Sequence, residues 1–466
     1  MSLTKLANLT LQFVRMEEGL CFPDLQNPAD QLQTSLRLGY DLFLVFYEIV
    51  TFLIYWKSFI FLGIVGYLWY YFFCRPFDRY RDMTELGYDE ANTRQDGNNL
   101  ARMNFINDMK KARKVGVATA LYPNGWFVIM ESRFLKKNEA KEANYFGKTF
   151  VVWRGASGQA YIADGYCPHI GAHLGVMGLV KDECIECPFH GWTFEGKGGK
   201  CVKIPYADPS SIPDNAKLKL HRSIEMNGFI FIWQHDQGHE PTWTPRRIKE
   251  IEDGAWTYRG RSEFRVSVHA QEVAENIADT GHFAKLHETS YFAKLNFNNR
   301  MMDFIFDQEW KTGWYVSKEE NKGHESFMEA SIIHKIFKQT VLDTSFLGRS
   351  EGPGITAFLS ELFGPSAFFL MVTPIGPFET RMIKHMYSKP TLLAHPFALA
   401  VLYVESMQID RDCEIWNRKT RWGSPMLIKE DKLVRMQRRW YAQFYSKPSE
   451  ITWDVEEEKK IDDEIM

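Results

Sequence analysis

The sequence predicts an α+β protein built from an N-terminal transmembrane helix, an all-β module, and an α+β domain with an antiparallel sheet and helices. Three observations predict this. A bilayer-length apolar run lies near the N-terminus, short apolar runs rich in aromatic residues fill 122–235, and the chain after a proline-rich connection mixes strand-like with helix-like stretches. With 466 residues the chain exceeds the ~250–300 at which one core stops growing, so two or three parts are expected.

Residues 1–40 precede the anchor, assigned to 41–74. Between Ile49 and Cys74 the one charge is Lys57, and Phe59 to Phe73 reads FIFLGIVGYLWYYFF. About 20 apolar residues cross a bilayer and a lysine near one end can snorkel, so 51–73 qualify. The run Leu42–Trp56 either lengthens the helix or lies in the interface. Arg75, Arg79 and Arg81 follow the segment, whereas before it only Arg37 is comparably near. Positive-inside logic then places the downstream chain in the cytosol and residues 1–40 in the lumen; a single-pass protein of the endoplasmic reticulum membrane is the expectation. In that lumenal segment Asn8-Leu9-Thr10 is a candidate glycosylation sequon.

Residues 75–118 read as a polar linker with helix, in which Lys110, Lys111, Arg113 and Lys114 form a solvated face. The all-β module, 119–240, carries its strands at WFVIME (126–131), TFVVW (149–153), KLKLH (217–221) and GFIFIW (228–233). Pro241-Thr-Trp-Thr-Pro245 opens the α+β domain, 241–446. There a strand is expected at Glu263–Val268, helices at about 271–288 and 398–419, and further strands near 366–388. The acidic tail, 447–466, is a solvated charge run.

Composition narrows the function. The 56 Lys+Arg against 59 Asp+Glu leave a net charge of −3, so no global field attracts nucleic acid. Seven cysteines are sparse and odd in number, which fits a reducing compartment and metal ligation better than a disulfide framework.

Two constellations carry chemistry. In the β module, Cys167-Pro168-His169 and Cys187-Pro188-Phe189-His190 offer two thiolates and two imidazoles from two loops. Such a set binds zinc or an iron–sulfur cluster. Each loop supplies one Cys and one His beside Pro and Gly (CPHIGAHLG, CPFHGW), and this resembles the Rieske two-iron, two-sulfur motif. The resemblance implies that Cys167 and Cys187 hold one iron and His169 and His190 the other, raising the potential. Respiratory Rieske carriers add a disulfide cysteine in each loop, where this chain has Ala172 and Phe189. Cys184, Cys201 and His173 read as packing residues.

In the α+β domain, Asn276, Asp279 and His282 fall three apart on the expected helix, so all can point inward, while His287 requires a bend or helix end. Two imidazoles and a carboxylate make the facial set of non-haem iron(II), leaving positions for O2 and substrate. The carboxylate lies among Glu405, Asp410, Asp412 and Glu414 of VESMQIDRDCEIWNRK (404–419).

Both constellations in this order resemble a Rieske non-haem iron oxygenase. That likeness selects Asp412, because steroid-active members carry an aspartate three residues before an Ile/Val-Trp pair, here Ile415-Trp416; Asp410 is next. It also implies that Asp279 is not a ligand but a bridge between an iron histidine and the cluster histidine of a neighbouring subunit, in a head-to-tail homotrimer. The anchor, YPNGWF at 122–127, CIECPFHGWTF at 184–194 and the closing RRWYAQFY at 438–445 together resemble the Neverland family of animal sterol desaturases. The closing pattern is also similar to bacterial 3-ketosteroid 9α-hydroxylases.

That family implies cholesterol 7-desaturation: hydrogens leave carbons 7 and 8 to give 7-dehydrocholesterol, with O2 and with electrons from NAD(P)H through a separate reductase. The chain shows no G-x-G-x-x-G opening a βαβ unit and no plant-type ferredoxin cysteine set, so a partner must collect those electrons. Within the class the alternative is a sterol or steroid hydroxylase or side-chain dealkylase. Outside it stand a Rieske electron-transfer protein without oxygenase activity and a zinc-stabilised lipid-binding module.

Overall fold

The computed structural model describes residues 28–82, 104, 122–287, 305–361, 364–391, 393–420 and 425–446. The Asn8 sequon, the basic run at 110–114 and the acidic tail at 454–466 lie outside them. Helix α1 (Pro28–Phe73) includes a 35-residue portion, Gly39–Phe73, that is long and apolar enough to cross a membrane and is not buried against protein. At ~1.5 Å per residue this portion measures ~50 Å, more than the ~30 Å of a hydrocarbon core. Leu42–Trp56 therefore continues the same helix. Apart from Asp41, Glu48 and Lys57 the Gly39–Phe73 portion is uncharged, and its apolar side chains point in every direction, with Phe46, Ile54, Phe61 and Tyr67 all exposed. The helix as far as Tyr71 is one compact unit and residues from Phe72 onward are another.

Within the region expected to be linker, Phe77–Arg81 is instead strand β1, paired in parallel with residues 260–264 at the edge of a large sheet. Its sequence FDRYR has no apolar alternation to announce a strand. Backbone pairing and charge hold it: Arg79 and Arg81 face Asp410 at 2.6 and 3.5 Å, and Asp78 faces Arg261 at 3.4 Å. Gly260 permits the approach, since a Cβ there would stand 2.5 Å from the Phe77 carbonyl oxygen.

The β module contains β2 (Gly125–Glu131), β3 (Glu139–Tyr145), β4 (Lys148–Arg154), β5 (Ala160–Asp164), β6 (Leu179–Lys181), β7 (Cys184–Glu186), β8 (Thr193–Phe194), β9 (Cys201–Lys203), β10 (Ser223–Met226) and β11 (Phe229–Gln234). Among the described residues these form sheets ordered β10-β11-β2, β3-β4-β5 and β6-β7-β8-β9. The apolar runs at 126–131, 149–153 and 228–233 become β2, β4 and β11. Each is buried on both faces, which is why it reads as continuous rather than alternating. KLKLH is not a strand. Its backbone bonds in turn to the Gly199–Cys201 side (Leu218 N to Gly199 O) and to the β5 side (His221 N to Ile162 O), so only isolated bridges form.

The α+β domain is built on β12 (Thr257–Val266), β13 (Phe306–Val316), β14 (Glu325–Ile336), β15 (Gln339–Glu351), β16 (Ile355–Ser360), β17 (Ser366–Gly376) and β18 (Glu379–Ser388). With β1 they form one sheet ordered β1-β12-β18-β17-β16-β15-β14-β13, antiparallel except at β1. The sequence signalled β17 and β18 but not β13 to β16. The outer strands are half exposed and mixed in polarity, QTVLDTSFLGRSE in β15 for example, so they lack a buried run.

Helix α2 (Ala270–Glu275) precedes the iron candidates, and α3 (Ala394–Trp416) replaces the expected 398–419. Ile409, Cys413 and Trp416 of α3 pack on Phe264, Val266 and Met382 of the sheet. Helix α4 (Lys432–Ala442) and the RRWYAQFY pattern bury Trp440, Tyr441 and Phe444 against Trp314 and Met328. The β module meets the sheet through Val128, Phe229 and Phe231 on Phe369 and Ile383. A buried charge network reinforces this contact: Glu131 meets His385 and, at 2.9 Å, Arg261, while Arg381 reaches Glu263 and the Tyr145 hydroxyl, each at 2.7 Å.

Candidate metal centres

The two Cys–His loops follow β5 and β7 and fold alike. Gly171 N–H donates to Cys167 O at 3.0 Å and Cys167 N–H to Ala172 O at 2.8 Å; Gly191 N–H donates to Cys187 O and Cys187 N–H to Trp192 O at the same two distances. This repeated turn brings the four side chains together. Cys167 and Cys187 are buried, and the His169 and His190 rings stand 4.9 Å apart at 79°. Burial pushes the Cys167 thiol up to about 12; the His169 backbone N–H pulls it down and the neighbouring Cys187 pushes it further up.

Two adjacent buried thiols and a buried, unpartnered Nδ1 on His190 fit a metal cluster that takes sulfur as thiolate and nitrogen as neutral imidazole. The remaining residues are packed as the sequence suggests. The Cys201 Sγ lies 3.5 Å from the Lys203 carbonyl, and His173 Nδ1 accepts from Gly175 N–H at 3.1 Å.

The second site departs from the expected helix over 271–288. Helix α2 stops at Glu275, and Asp279, in extended conformation, caps a new turn: its Oδ1 accepts from the N–H groups of Gly281 and His282 at 3.0 and 3.2 Å. An aspartate that offers its side chain to the backbone starts helices rather than continuing them. Asn276, Asp279 and His282 therefore do not share one helix face.

The bend required at His287 is a π turn, Phe283–His287. In an α-helix residues five apart point about 140° away from each other. The wider turn lets His282 and His287 face one cluster with ring centroids 5.1 Å apart.

Helix α3 completes the cluster. One ligand atom each from His282, His287 and Asp412 falls within 4.8 Å of the others, and His287 Nε2 lies 3.1 Å from Asp412 Oδ1. Asp410, the runner-up, points away to Arg79 and Arg81; burial raises its carboxyl above the ordinary range although both arginines pull it down. Glu405 faces Lys384 at 3.0 Å. Two imidazoles and one carboxylate match the donor set of non-haem iron.

Around the cluster, His282 Nδ1–H donates to the Asp279 carbonyl, and the Asn276 amide approaches His282 Nε2 at 3.4 Å. His287 Nδ1–H donates to Gln408 Oε1 at 2.7 Å, so both Nδ1 atoms are occupied and the two Nε2 atoms face inward, toward Asn276 and Asp412. Burial lowers the His282 pKa. At His287 burial acts the same way, but the Asp412 carboxylate and Gln408 outweigh it and the pKa rises.

Gln408 is the residue the motifs missed; its signal was its place one helical turn before Asp412. The Asp279 side chain is 38% exposed and lies 3.8 Å from His282 Nδ1 through Oδ2.

The cluster opens on a cavity of about 370 Å³, within the range of small-molecule sites. Beyond the expected strands near 366–388 and α3, its walls include Trp310, Ile332 and Phe346 from β13 to β15.

Comparison with known proteins places this geometry. The Rieske 2Fe-2S domain matches residues 125–221 and the 3-ketosteroid 9α-hydroxylase C-terminal domain residues 232–445. A cholesterol 7-desaturase of Xenopus laevis is 36% identical over 389 residues, covering 82% of this chain and 84% of that one. The chain belongs to the cholesterol 7-desaturase family. Another member, from Hemicentrotus pulcherrimus, is 36% identical over 396 residues, covering 83% of this chain and 81% of its own.

Apo dicamba monooxygenase shares the fold at TM-score 0.52 and 17% identity, over 70% of this chain and 97% of that one. As a family member this protein is a Rieske-type oxidoreductase, and each of the two domain matches, 125–221 and 232–445, contains one of the candidate metal centres.

Proposed function

We propose that this chain is a membrane-anchored cholesterol 7-desaturase. The observation that carries the reading is the His282–His287–Asp412 cluster facing an apolar cavity, in a chain 36% identical to a cholesterol 7-desaturase over most of both lengths. Cholesterol, O2, NAD(P)H and a proton would yield 7-dehydrocholesterol, two waters and NAD(P)+.

In this reading Cys167, His169, Cys187 and His190 hold the two-iron cluster, and His282, His287 and Asp412 hold the mononuclear iron. When bound, the cluster relays electrons and the iron activates O2. The chain's own residues orient and exclude. Gln408 and the Asp279 carbonyl hold the two imidazoles in register. The walls from Ile332, Phe346 and Met382 exclude water and seat the rings of a sterol. Placement of carbons 7 and 8 against the iron decides desaturation over hydroxylation.

Helix α1 crosses the endoplasmic reticulum membrane with Arg75, Arg79 and Arg81 on the cytosolic side, so the catalytic body draws its sterol from the cytosolic leaflet. A separate reductase supplies electrons. The assembly is a homotrimer in which the exposed Ile170 and Phe189 at the tips of the cluster loops meet the neighbouring subunit and Asp279 bridges the two centres. The exposure of all three residues supports this.

The test is anaerobic reduction of the purified protein, addition of cholesterol and one pulse of O2. A conjugated 5,7-diene is expected. A hydroxylated or chain-shortened sterol would replace this reading with the hydroxylase or dealkylase one.

A further inference from the structure

The cavity that faces the iron candidates is apolar except at a few points, and one of these carries full charge. Lys384 of β18 is 3% exposed, and its Nζ meets Glu405 of α3 at 3.0 Å, with both residues in the cavity wall. The ammonium is buried and the carboxylate half-buried, and removing charge from water is costly, so such a pair is weak evidence of a purely stabilising role. Of the other polar groups in the cavity wall, Gln408 holds His287, Asn276 approaches His282, and His334 bonds Thr344 at 3.2 Å.

The pair's position is set by helix geometry. Glu405, Gln408 and Asp412 lie on one stripe of α3, and the seven-residue step from Glu405 to Asp412 rises ~10.5 Å along the axis. Two turns of one rigid helix thus separate a polar anchor from the carboxylate of the metal cluster.

We infer that Lys384 and Glu405 form the subsite for the sterol's 3β-hydroxyl and make the enzyme selective for 3-hydroxysterols over 3-ketosteroids. An ammonium has three N–H donors and no acceptor, whereas a carboxylate accepts only, so their mutual bond leaves capacity on both. A hydroxyl accepts from Lys384 and donates to Glu405 together. A ketone can only accept, so it can take a hydrogen bond from Lys384 but gives none to the Glu405 carboxylate. Sites built to bond a hydroxyl reject analogues that lack it. Ring A lies between the hydroxyl and carbon 7, so anchoring the hydroxyl two turns from Asp412 directs ring B toward the iron.

The inference rests on the sterol reading above, and the experiment separates the two. Binding of 5α-cholestan-3β-ol and of 5α-cholestan-3-one to the reduced, iron-loaded protein is followed by the change in tryptophan emission, compared with Trp310→Phe as control because Trp310 lines the cavity. The alcohol should bind about 10- to 100-fold more tightly, the difference made by a charge-assisted hydrogen bond. The Lys384→Met/Glu405→Leu double variant replaces the pair with apolar groups of similar volume. It should keep its cluster absorbance while losing the preference for the alcohol over the ketone. A structural role for the pair would move stability and leave the ratio unchanged. Equal binding of both sterols by the wild type, or a preference that survives in the variant, overturns the inference even if cholesterol is desaturated. If neither sterol binds, the sterol reading fails with it.

Discussion

Gln408 Oε1 accepts from His287 Nδ1 at 2.7 Å, one helical turn before the carboxylate that His287 Nε2 faces from its other side. The two contacts come from a single stripe of α3, so one helix both presents a candidate metal ligand and orients another. Replacing Gln408 by Leu should keep the fold and the cluster spectrum but weaken iron retention at the mononuclear site by about 10- to 100-fold. Iron competition with a chelator, read against unchanged cluster absorbance, checks this.

Asp410 and Asp412 are two residues apart and face opposite tasks. Asp412→Ala should abolish mononuclear iron binding and turnover while leaving the cluster. Asp410→Asn should retain iron and lower stability by about 1–3 kcal/mol, because Arg79 and Arg81 lose a half-buried charge partner. Metal analysis combined with thermal melting separates the two; iron lost from Asp410→Asn would reverse the assignment.

Asp279→Asn preserves a capping side chain for Gly281 and His282, so the turn should survive where Asp279→Ala costs about 1 kcal/mol. If the carboxylate bridges the centres, the Asn variant should hold both metals yet reoxidise its cluster far more slowly after an O2 pulse, by roughly 100-fold. Stopped-flow absorbance of the cluster measures it.

Acid should loosen the contact between the β module and the sheet. Burial opposes ionisation of Glu131 and Glu263. Even so, His385, Arg261 and Arg381 around Glu131, and Arg381 and Arg261 around Glu263, hold both carboxyls below their ordinary range. A depressed folded-state pKa contributes stability that is complete above the unfolded value of about 4.3 and is lost as pH falls through the folded values. Melting temperature should therefore drop steeply below pH ~4, and Glu131→Gln should flatten that drop while lowering stability at neutral pH.

Strand β1 sets where the anchor can be cut. A chain starting at Arg75 should fold and keep its melting temperature. A chain starting at Met83 should be destabilised, since it bares the β12 edge and leaves Asp410 without its arginines. Differential scanning of the two truncations tests this.

The sequence by itself determined the membrane-length helix, the two Cys–His loops and the histidine pair, because each is written in local chemistry: an uncharged apolar run, or ligand types at fixed short spacing. Among Glu405, Asp410, Asp412 and Glu414 local chemistry made no choice; Asp412 was favoured by resemblance to steroid-active oxygenases, through its place before Ile415-Trp416. Tertiary structure decided the rest. Only the fold shows that Asp410 is occupied by two arginines arriving from residues 79 and 81, more than 300 positions away. The break at Asp279 and the π turn to His287 override a helical pattern, since local capping and the need to converge on one cluster outweigh propensity. The polar-looking strands at 306–360 become walls of the cavity because alternate residues face inward. Likewise Gln408, Lys384 and Glu405 acquire roles from what α3 packs against. Local spacing identifies ligand types, but which carboxylate, amide or ammonium reaches the site is set by contacts between distant segments, which no short motif contains.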